Sequence, residues 1–415
     1  MATLLLGLVA RANGRVQMNW IMDQRSDMLW FIGGTLAGYA MFFLHAGLHL
    51  DMITVWFLWV VFLDSPHFFG TYSRTYLDRE EWRERRKLLI GSLGWFLVGP
   101  TVILLSFVLY RIGNSQYTVP YLAFVVFFNL WAYWHIVRQH YGIMALYQRK
   151  NADVDPLDKR LDNSLLYVGL LAPFVAFIVR HLEARTALGL PGNMPPYPPL
   201  AADGIVSRIV DGLSPEYLGR LSWEHVVVAV SVAAVATVVA AFLGRQVQRW
   251  QQRLPLNLPK ILFLAAVIPL HVSICYSPAV LTAPLLAFSA FVTVYHDIQY
   301  YAIVWFHHRN RYHRPGVDAQ RYGWAVKVSR SFGTFLLCGI AMAAVFRLLG
   351  CALEAHPGCP PLVLTSKRVL FGNVTVRHLL ISVLLGFPLH HYFLDQFIWR
   401  PSRDRRLQED LKLNR

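Results

Sequence analysis

Apolar stretches alternate with short polar stretches along almost the whole chain. Most apolar stretches contain about 20 residues or more, which is the length that an α-helix needs to cross the hydrocarbon core of a bilayer. The alternating strands of about ten residues that form membrane β-barrels are absent from the sequence. The pattern therefore predicts an all-α, polytopic helical bundle of about ten transmembrane spans. The predicted spans are residues 29–48, 52–72, 88–110, 117–147, 164–182, 223–244, 258–278, 280–308, 326–350 and 376–399.

Lys and Arg are concentrated in every second loop between these spans. Loop 73–87 contains six of them, whereas loops 111–116 and 351–375 contain two or fewer. Because cytoplasmic loops carry the excess of basic residues, both termini are predicted to be cytoplasmic. The predicted divisions are a cytoplasmic N-terminal tail at 1–28, a single transmembrane domain at 29–399 with outer loops at 183–222 and 351–375, and a basic cytoplasmic tail at 400–415.

Composition and charge agree with a membrane protein. The chain of 415 residues is 55% hydrophobic and only 15% charged, and its formal net charge is +15. The basic residues lie in short loops, where they face anionic lipid, so nucleic acid is not expected as a partner. We expect a multi-pass protein of the bacterial inner membrane. Cys351 and Cys359 fall together in the second outer loop, where an oxidising compartment would permit a disulfide between them.

Histidines follow the predicted topology, because the cytoplasmic halves of spans 2, 4, 8 and 10 contain them and those of the odd-numbered spans do not. One histidine from each of four spans lies at a similar depth, roughly 10–20 Å below the cytoplasmic surface. Polar side chains at such a depth are costly unless they have partners. The layer therefore predicts one shared metal site, with His67, His140, His296 and His391 as ligands.

Carboxylates accompany two of these histidines. Asp64 precedes His67 by three residues, and Asp395 follows His391 by four, so each pair shares one face of a helix. Each carboxylate is a candidate ligand or a group that orients the neighbouring imidazole. Imidazole and carboxylate without thiolate suit iron, manganese or zinc, and we favour one or two iron ions for chemistry in a membrane.

Other polar residues surround the predicted layer. His135 and His140 are separated by about 140° around a helix, so only one of them can face a given ion, and His140 is preferred. On the outer side, His45 and His49 have the i, i+4 spacing of many zinc sites and form a separate candidate site. The remaining candidates for a second metal, or for supporting contacts, are His135, Gln139, Asp297, Gln299, His307, His308 and His390.

The adjacent pairs His307–His308 and His390–His391, on helices that converge near the cytoplasmic side, resemble the membrane-bound non-heme iron enzymes. These comprise the fatty-acid desaturase and hydroxylase superfamily and the bacterial carotene-dioxygenase type. The chain lacks their His-x-x-His-His motif, and its one His-x-x-x-His, at His45 and His49, is on the outer side. The resemblance implies a membrane oxidoreductase that takes a lipid or isoprenoid substrate from the bilayer.

Two other functions agree with the same histidines. Imidazoles that face each other across a bundle also ligate b-heme, so an electron-transfer protein that binds heme or quinone is one alternative. The other is a metal-ion or proton transporter, in which Asp64, Asp297 and Asp395 line the conduction path. If the protein is an enzyme, an electron-donor protein at the cytoplasmic face is an expected partner.

Overall fold

The computed structural model describes residues 15–190, 222–353 and 368–413 and is mostly helical. In chain order, the elements are β1 Val16–Gln17, α1 Gln24–Asp27, a first π-helical turn Met28–Ile32, α2 Thr35–Ala46, α3 Met52–Trp59, a second π-helical turn Val60–Asp64, α4 Ser65–Thr75, α5 Arg79–Glu84, α6 Arg86–Ser92, α7 Trp95–Arg111, α8 Val119–Lys150, α9 Pro156–Arg180, α10 Leu182–Ala187, α11 Trp223–Gln251, β2 Leu256–Asn257, α12 Leu258–Tyr276, α13 Pro278–Thr282, α14 Leu285–Tyr312, α15 Ala319–Tyr322, α16 Trp324–Val328, α17 Phe332–Leu353, β3 Val369–Phe371, β4 Val374–Thr375, α18 Val376–Leu384, α19 Gly386–Ile398 and α20 Arg405–Asp410.

The chain divides into two compact units. The first unit combines Met1–Met18 with Asn151–Ser289, and the second combines Asn19–Lys150 with Ala290–Arg415. In the first unit α9 packs against α11 and α12, and β1 pairs in parallel with β2. Asp155 caps α9 by accepting from two backbone N–H groups, and Pro156 follows at the first helical position, where its missing N–H costs nothing.

A buried ion-pair network lies at one end of α9 in the first unit. The ammonium of Lys260 is 2.6 Å from Asp153 and 2.7 Å from Asp162, and all three side chains are buried. Arg249 pairs with Asp158 in the same network. Burial raises the pKa of Asp153, but Lys260 and Arg249 outweigh that effect and hold the pKa below its ordinary value. Asp153 is therefore a charged partner in the network at neutral pH.

In the second unit, α4 packs against α17 and α19, while α7 packs against α8, α18 and α19. The approach of α7 to α18 is close enough to require glycine, because a Cβ on Gly99 would collide with the backbone carbonyl of Ser382. The short hairpin β3–β4 leads directly into α18.

The π-helical turn before α4 follows from Pro66. Proline has no N–H to donate to the carbonyl four residues earlier, so the regular helical ladder cannot continue through it. Instead, the Ser65 N–H donates to the Val60 carbonyl, five residues back. Such turns occur frequently at functional sites.

Within the described ranges, six helical segments are long and apolar enough to cross a membrane, which indicates a membrane protein: Gln24–Ala46, Arg86–Arg111, Val119–Lys150, Pro156–Arg180, Trp223–Gln251 and Leu258–Tyr276. The other predicted spans correspond to α3 with α4, to α14, to α17, and to α18 with α19, which are interrupted, shorter or more polar. About ten spans, and cytoplasmic termini, stay predictions. The disulfide prediction rests on Cys359, which lies outside the described residues, as does the side chain of Cys351.

Candidate functional site

Four helices of the second unit bring one imidazole each to the same place. The helices are α4, α8, α14 and α19, and the histidines are His67, His135, His296 and His391, which are 0–6% exposed. Neighbouring ring centroids are 4.8 Å apart for His67 and His391, 4.9 Å for His135 and His391, 5.0 Å for His135 and His296, and 5.3 Å for His67 and His296. The four imidazoles therefore form a closed ring, called here the histidine ring.

The nitrogens of the histidine ring are arranged as metal ligands are. His67 Nε2 and His391 Nε2 are 3.1 Å apart, and ligand atoms of His67, His296 and His391 all lie within 4.8 Å of one another. His135 Nε2 and His296 Nδ1 are buried and have no hydrogen-bond partner in the described part of the chain. A buried polar atom left unsatisfied costs about 1–3 kcal/mol, whereas neutral imidazole nitrogens are good ligands for iron and zinc. The donor set thus fits a transition-metal ion.

Asp297 lies against the Nδ1 edge of His67. Its Oδ1 is 3.0 Å from His67 Nδ1, and its Oδ2 accepts a hydrogen bond from Trp59 Nε1 at 2.8 Å. The Nδ1 edge of His67 therefore faces the carboxylate, and its Nε2 lies beside His391 in the ring. This carboxylate–imidazole arrangement is the one that orients histidine ligands in many metal sites. Asp64 forms a second group with His67 and Asp297.

Thr71 and Asp395 hold His391 in a corresponding way. Thr71 Oγ1 is 2.6 Å from His391 Nδ1 and donates to Asp395 Oδ1 at 2.7 Å. Tyr300 donates to the same carboxylate oxygen at 3.0 Å. Asp395 is itself 3.7 Å from His391 Nδ1, so it acts on the imidazole chiefly through the threonine hydroxyl.

His140, which the sequence favoured as a ligand, lies elsewhere. Its imidazole stacks on Tyr295 at 5.4 Å, and it belongs to none of the three candidate metal groups found among the described residues. The residue of α8 in the ring is His135. The two positions differ by about 7.5 Å along the helix, and a depth counted from the loop cannot resolve that difference.

The two glutamines connect helices. Gln139 Nε2 donates to the backbone carbonyl of His296 at 2.8 Å and to Gln299 Oε1 at 3.3 Å. Gln299 reaches in turn to the carbonyl of Phe31 at 3.4 Å. Their contacts tie α8 to α14, and α14 to the first π-helical turn.

Of the two adjacent histidine pairs, His391 belongs to the ring, and His390, His307 and His308 make other contacts. His390 lies 2.9 Å from the Tyr76 hydroxyl and 3.0 Å from Ser92 Oγ. His308 Nδ1 lies 2.9 Å from Ser329 Oγ. His307 is 3.5 Å from an Asp410 oxygen. Adjacent helical residues diverge by about 100°, so one histidine of each pair must face elsewhere.

The outer pair shows local contacts. His45 Nδ1 is 3.2 Å from the Leu50 carbonyl oxygen, and His49 is exposed, with a φ of 54°. Neither residue belongs to a candidate metal group in the described ranges.

The sequence did not indicate the two other residues that contact the site, Thr71 and Trp59. A usable signal existed for Thr71, since it lies one helical turn after His67, as Asp395 lies one turn after His391. Trp59 gave no such signal, because a tryptophan in an apolar span is normally read as packing.

Neither a family model, nor a curated protein, nor a solved structure matches this chain.

Proposed function

We propose that this protein is a membrane-embedded, metal-dependent oxidoreductase, a non-heme iron enzyme that oxidises a lipid or isoprenoid. The observation that carries the proposal is the histidine ring: four buried imidazoles from four helices, backed by carboxylates. Cys275 and Cys338, the described free cysteines, are in none of the candidate metal groups. A ligand set of imidazole and carboxylate favours iron, manganese or zinc over metals that prefer thiolate.

The residues proposed to hold the ion are His67, His135, His296 and His391. A bound non-heme iron ion would supply the redox chemistry that no amino-acid side chain provides. The protein's own contribution is to keep the ligands oriented and water excluded. Asp297 would orient His67, and the buried ring of Phe68 packs against both His67 and His391. A substrate from the bilayer and an electron-donor protein at the cytoplasmic face belong to the same proposal.

The geometry disfavours the b-heme alternative at this ring. Two axial imidazoles, each with a nitrogen about 2 Å from the iron on opposite faces of a porphyrin, have those nitrogens about 4 Å apart with the macrocycle between them. His67 Nε2 and His391 Nε2 are 3.1 Å apart, and the other two imidazoles flank them in the ring. That arrangement supports an ion surrounded by imidazoles.

Metal analysis combined with a visible spectrum tests the proposal. We expect purified protein to contain one or two iron ions per chain and to lack an intense Soret band. Reduction and exposure to oxygen should then alter the iron's electron paramagnetic resonance or Mössbauer spectrum. If the protein contains no stoichiometric transition metal, and His67→Ala changes only proton or ion flux in liposomes, the oxidoreductase proposal fails and the transport function replaces it.

A further inference from the structure

Arg74, at the end of α4, is a buried cation that has no anion beside it among the described residues. Its side chain is 1% exposed, and its Nε and Nη1 are both buried and find no hydrogen-bond acceptor in residues 15–190, 222–353 and 368–413. The guanidinium makes no hydrogen bond or ion pair with any described residue; its close contact is with the face of Trp399, 4.0 Å away. A buried charge that lacks a partner is strongly destabilising, so such a group indicates a ligand.

The neighbouring carboxylates are already used by other arginines. Glu81 and Asp404 both bond to Arg85 at 2.7 Å. Asp410 pairs with Arg311 at 3.2 Å. These acids contribute to the field at the buried guanidinium, but none comes within ion-pair distance of it in the described part of the chain. The charge of this guanidinium therefore remains available to a further anion.

A series of side-chain contacts connects Arg74 to the histidine ring. His307 packs against Trp399 with ring centroids 5.7 Å apart, and its buried Nδ1 has no hydrogen-bond partner in the part of the chain that the structure describes. Trp399 Nε1 donates to the Tyr300 hydroxyl at 3.4 Å, and Tyr300 donates to Asp395. Arg74 also lies three residues after Thr71 on α4, or about 4.5 Å along the axis.

We propose that Arg74, His307 and Trp399 form a binding site for a carboxylate, the acidic head of a long-chain acyl or isoprenoid acid. A single guanidinium suits a monoanion, because a phosphate dianion would need a second free cation to offset its larger desolvation cost. The guanidinium also matches the planar geometry of a carboxylate. This inference rests on the proposed function for its substrate class, since it identifies the acid end of the molecule oxidised at the histidine ring.

Titration calorimetry with sodium oleate, on purified protein with its metal retained, tests the site. We expect saturable binding of one oleate per chain. Arg74→Gln should weaken it about 10–100-fold, because charge-assisted hydrogen bonds are lost. Arg74→Lys keeps the charge and should weaken it less. The matched control is Arg309→Gln, which removes an exposed arginine that also lies near an aromatic ring, Phe306 at 5.8 Å, and should leave oleate binding unchanged.

Further measurements distinguish the other possible results of the oleate titration. Acetate that binds as tightly as oleate would limit the site to small carboxylates and overturn the lipid assignment. Equal oleate binding by wild type and Arg74→Gln, or no saturable binding by wild type, would overturn the site itself. If Arg74→Gln does not fold, His307→Gln and Trp399→Phe supply the test, and unchanged binding in both variants rejects the proposal. If the purified protein contains no metal but still binds oleate through Arg74, the carboxylate site is supported and the oxidoreductase proposal fails.

Discussion

Replacing His135 with Ala should remove most of the bound metal, whereas replacing His140 with Ala should not. Structural four-ligand zinc sites bind with about 10–16 kcal/mol, or about 2.5–4 kcal/mol for each ligand. Losing one of the four ring imidazoles should therefore weaken affinity by about 10²–10³-fold, at about 1.4 kcal/mol per tenfold. His140 stacks on Tyr295 outside the ring, so its loss should cost packing and leave the metal in place.

The assay is metal content by plasma mass spectrometry, followed by competition with a chelator of known affinity. Both variants lose a buried imidazole from α8, so each serves as the other's control for general damage, and thermal unfolding shows whether each is folded. Metal loss in His140→Ala with full occupancy in His135→Ala would refute the assignment of ring members and support the choice made from sequence. Equal loss in both folded variants would show that α8 contributes through its position and not through one ligand.

Three other results are expected. Asp297→Ala and Thr71→Val should each weaken metal affinity by about 10–100-fold in the same chelator competition, because each removes a side chain that orients an imidazole of the ring. Unchanged metal affinity in both variants would mean that neither residue positions a ligand. Gly70→Ala should destabilise the protein by about 1–3 kcal/mol in thermal unfolding, since the new Cβ would lie 2.6 Å from the Tyr300 ring. The control is Gly142→Ala, whose new Cβ meets nothing within 4 Å and should be neutral or stabilising. Equal stability changes in the two variants would contradict the packing of Gly70 against Tyr300. Asp153→Asn should cost about 2–3 kcal/mol at pH 7, less than the full loss of a buried pair because Lys260 keeps its other carboxylate. The difference from wild type should shrink as the pH falls below about 4, because a carboxylate with a lowered folded pKa loses its contribution as the pH falls through that pKa. A difference that does not shrink in acid would show that charge is not the cause.

The long apolar helices could be predicted from sequence because their signal is local. The predicted span 117–147 corresponds to α8, Val119–Lys150, and 223–244 corresponds to the start of α11, Trp223–Gln251. Hydropathy alone determines such segments, since about 20 apolar residues have few alternatives to crossing a bilayer. The division into two units has no comparable local signal, because it depends on contacts between residues far apart in sequence.

The site was partly predictable for a similar reason. His67, His296 and His391 were found because polar residues in apolar helices are conspicuous. The choice between His135 and His140 required the position of α8 relative to α14 and α19, and helical periodicity does not contain that information. Asp297 was placed only among the secondary candidates. Its pairing with His67 joins residues on different helices, which a single sequence does not reveal.

The uneven hydropathy of the helices bears on how the protein is made. Of the four helices that carry the histidine ring, only α8 is among the segments long and apolar enough to cross a membrane. Asp297 lies near the middle of α14, where an Asp costs about 2.5–3.5 kcal/mol during translocon insertion, and α4 and α19 are shorter than the roughly 20 residues that cross a bilayer. We therefore expect these three helices to leave the translocon together with more apolar neighbours, so that the ring is completed among the last steps of biogenesis.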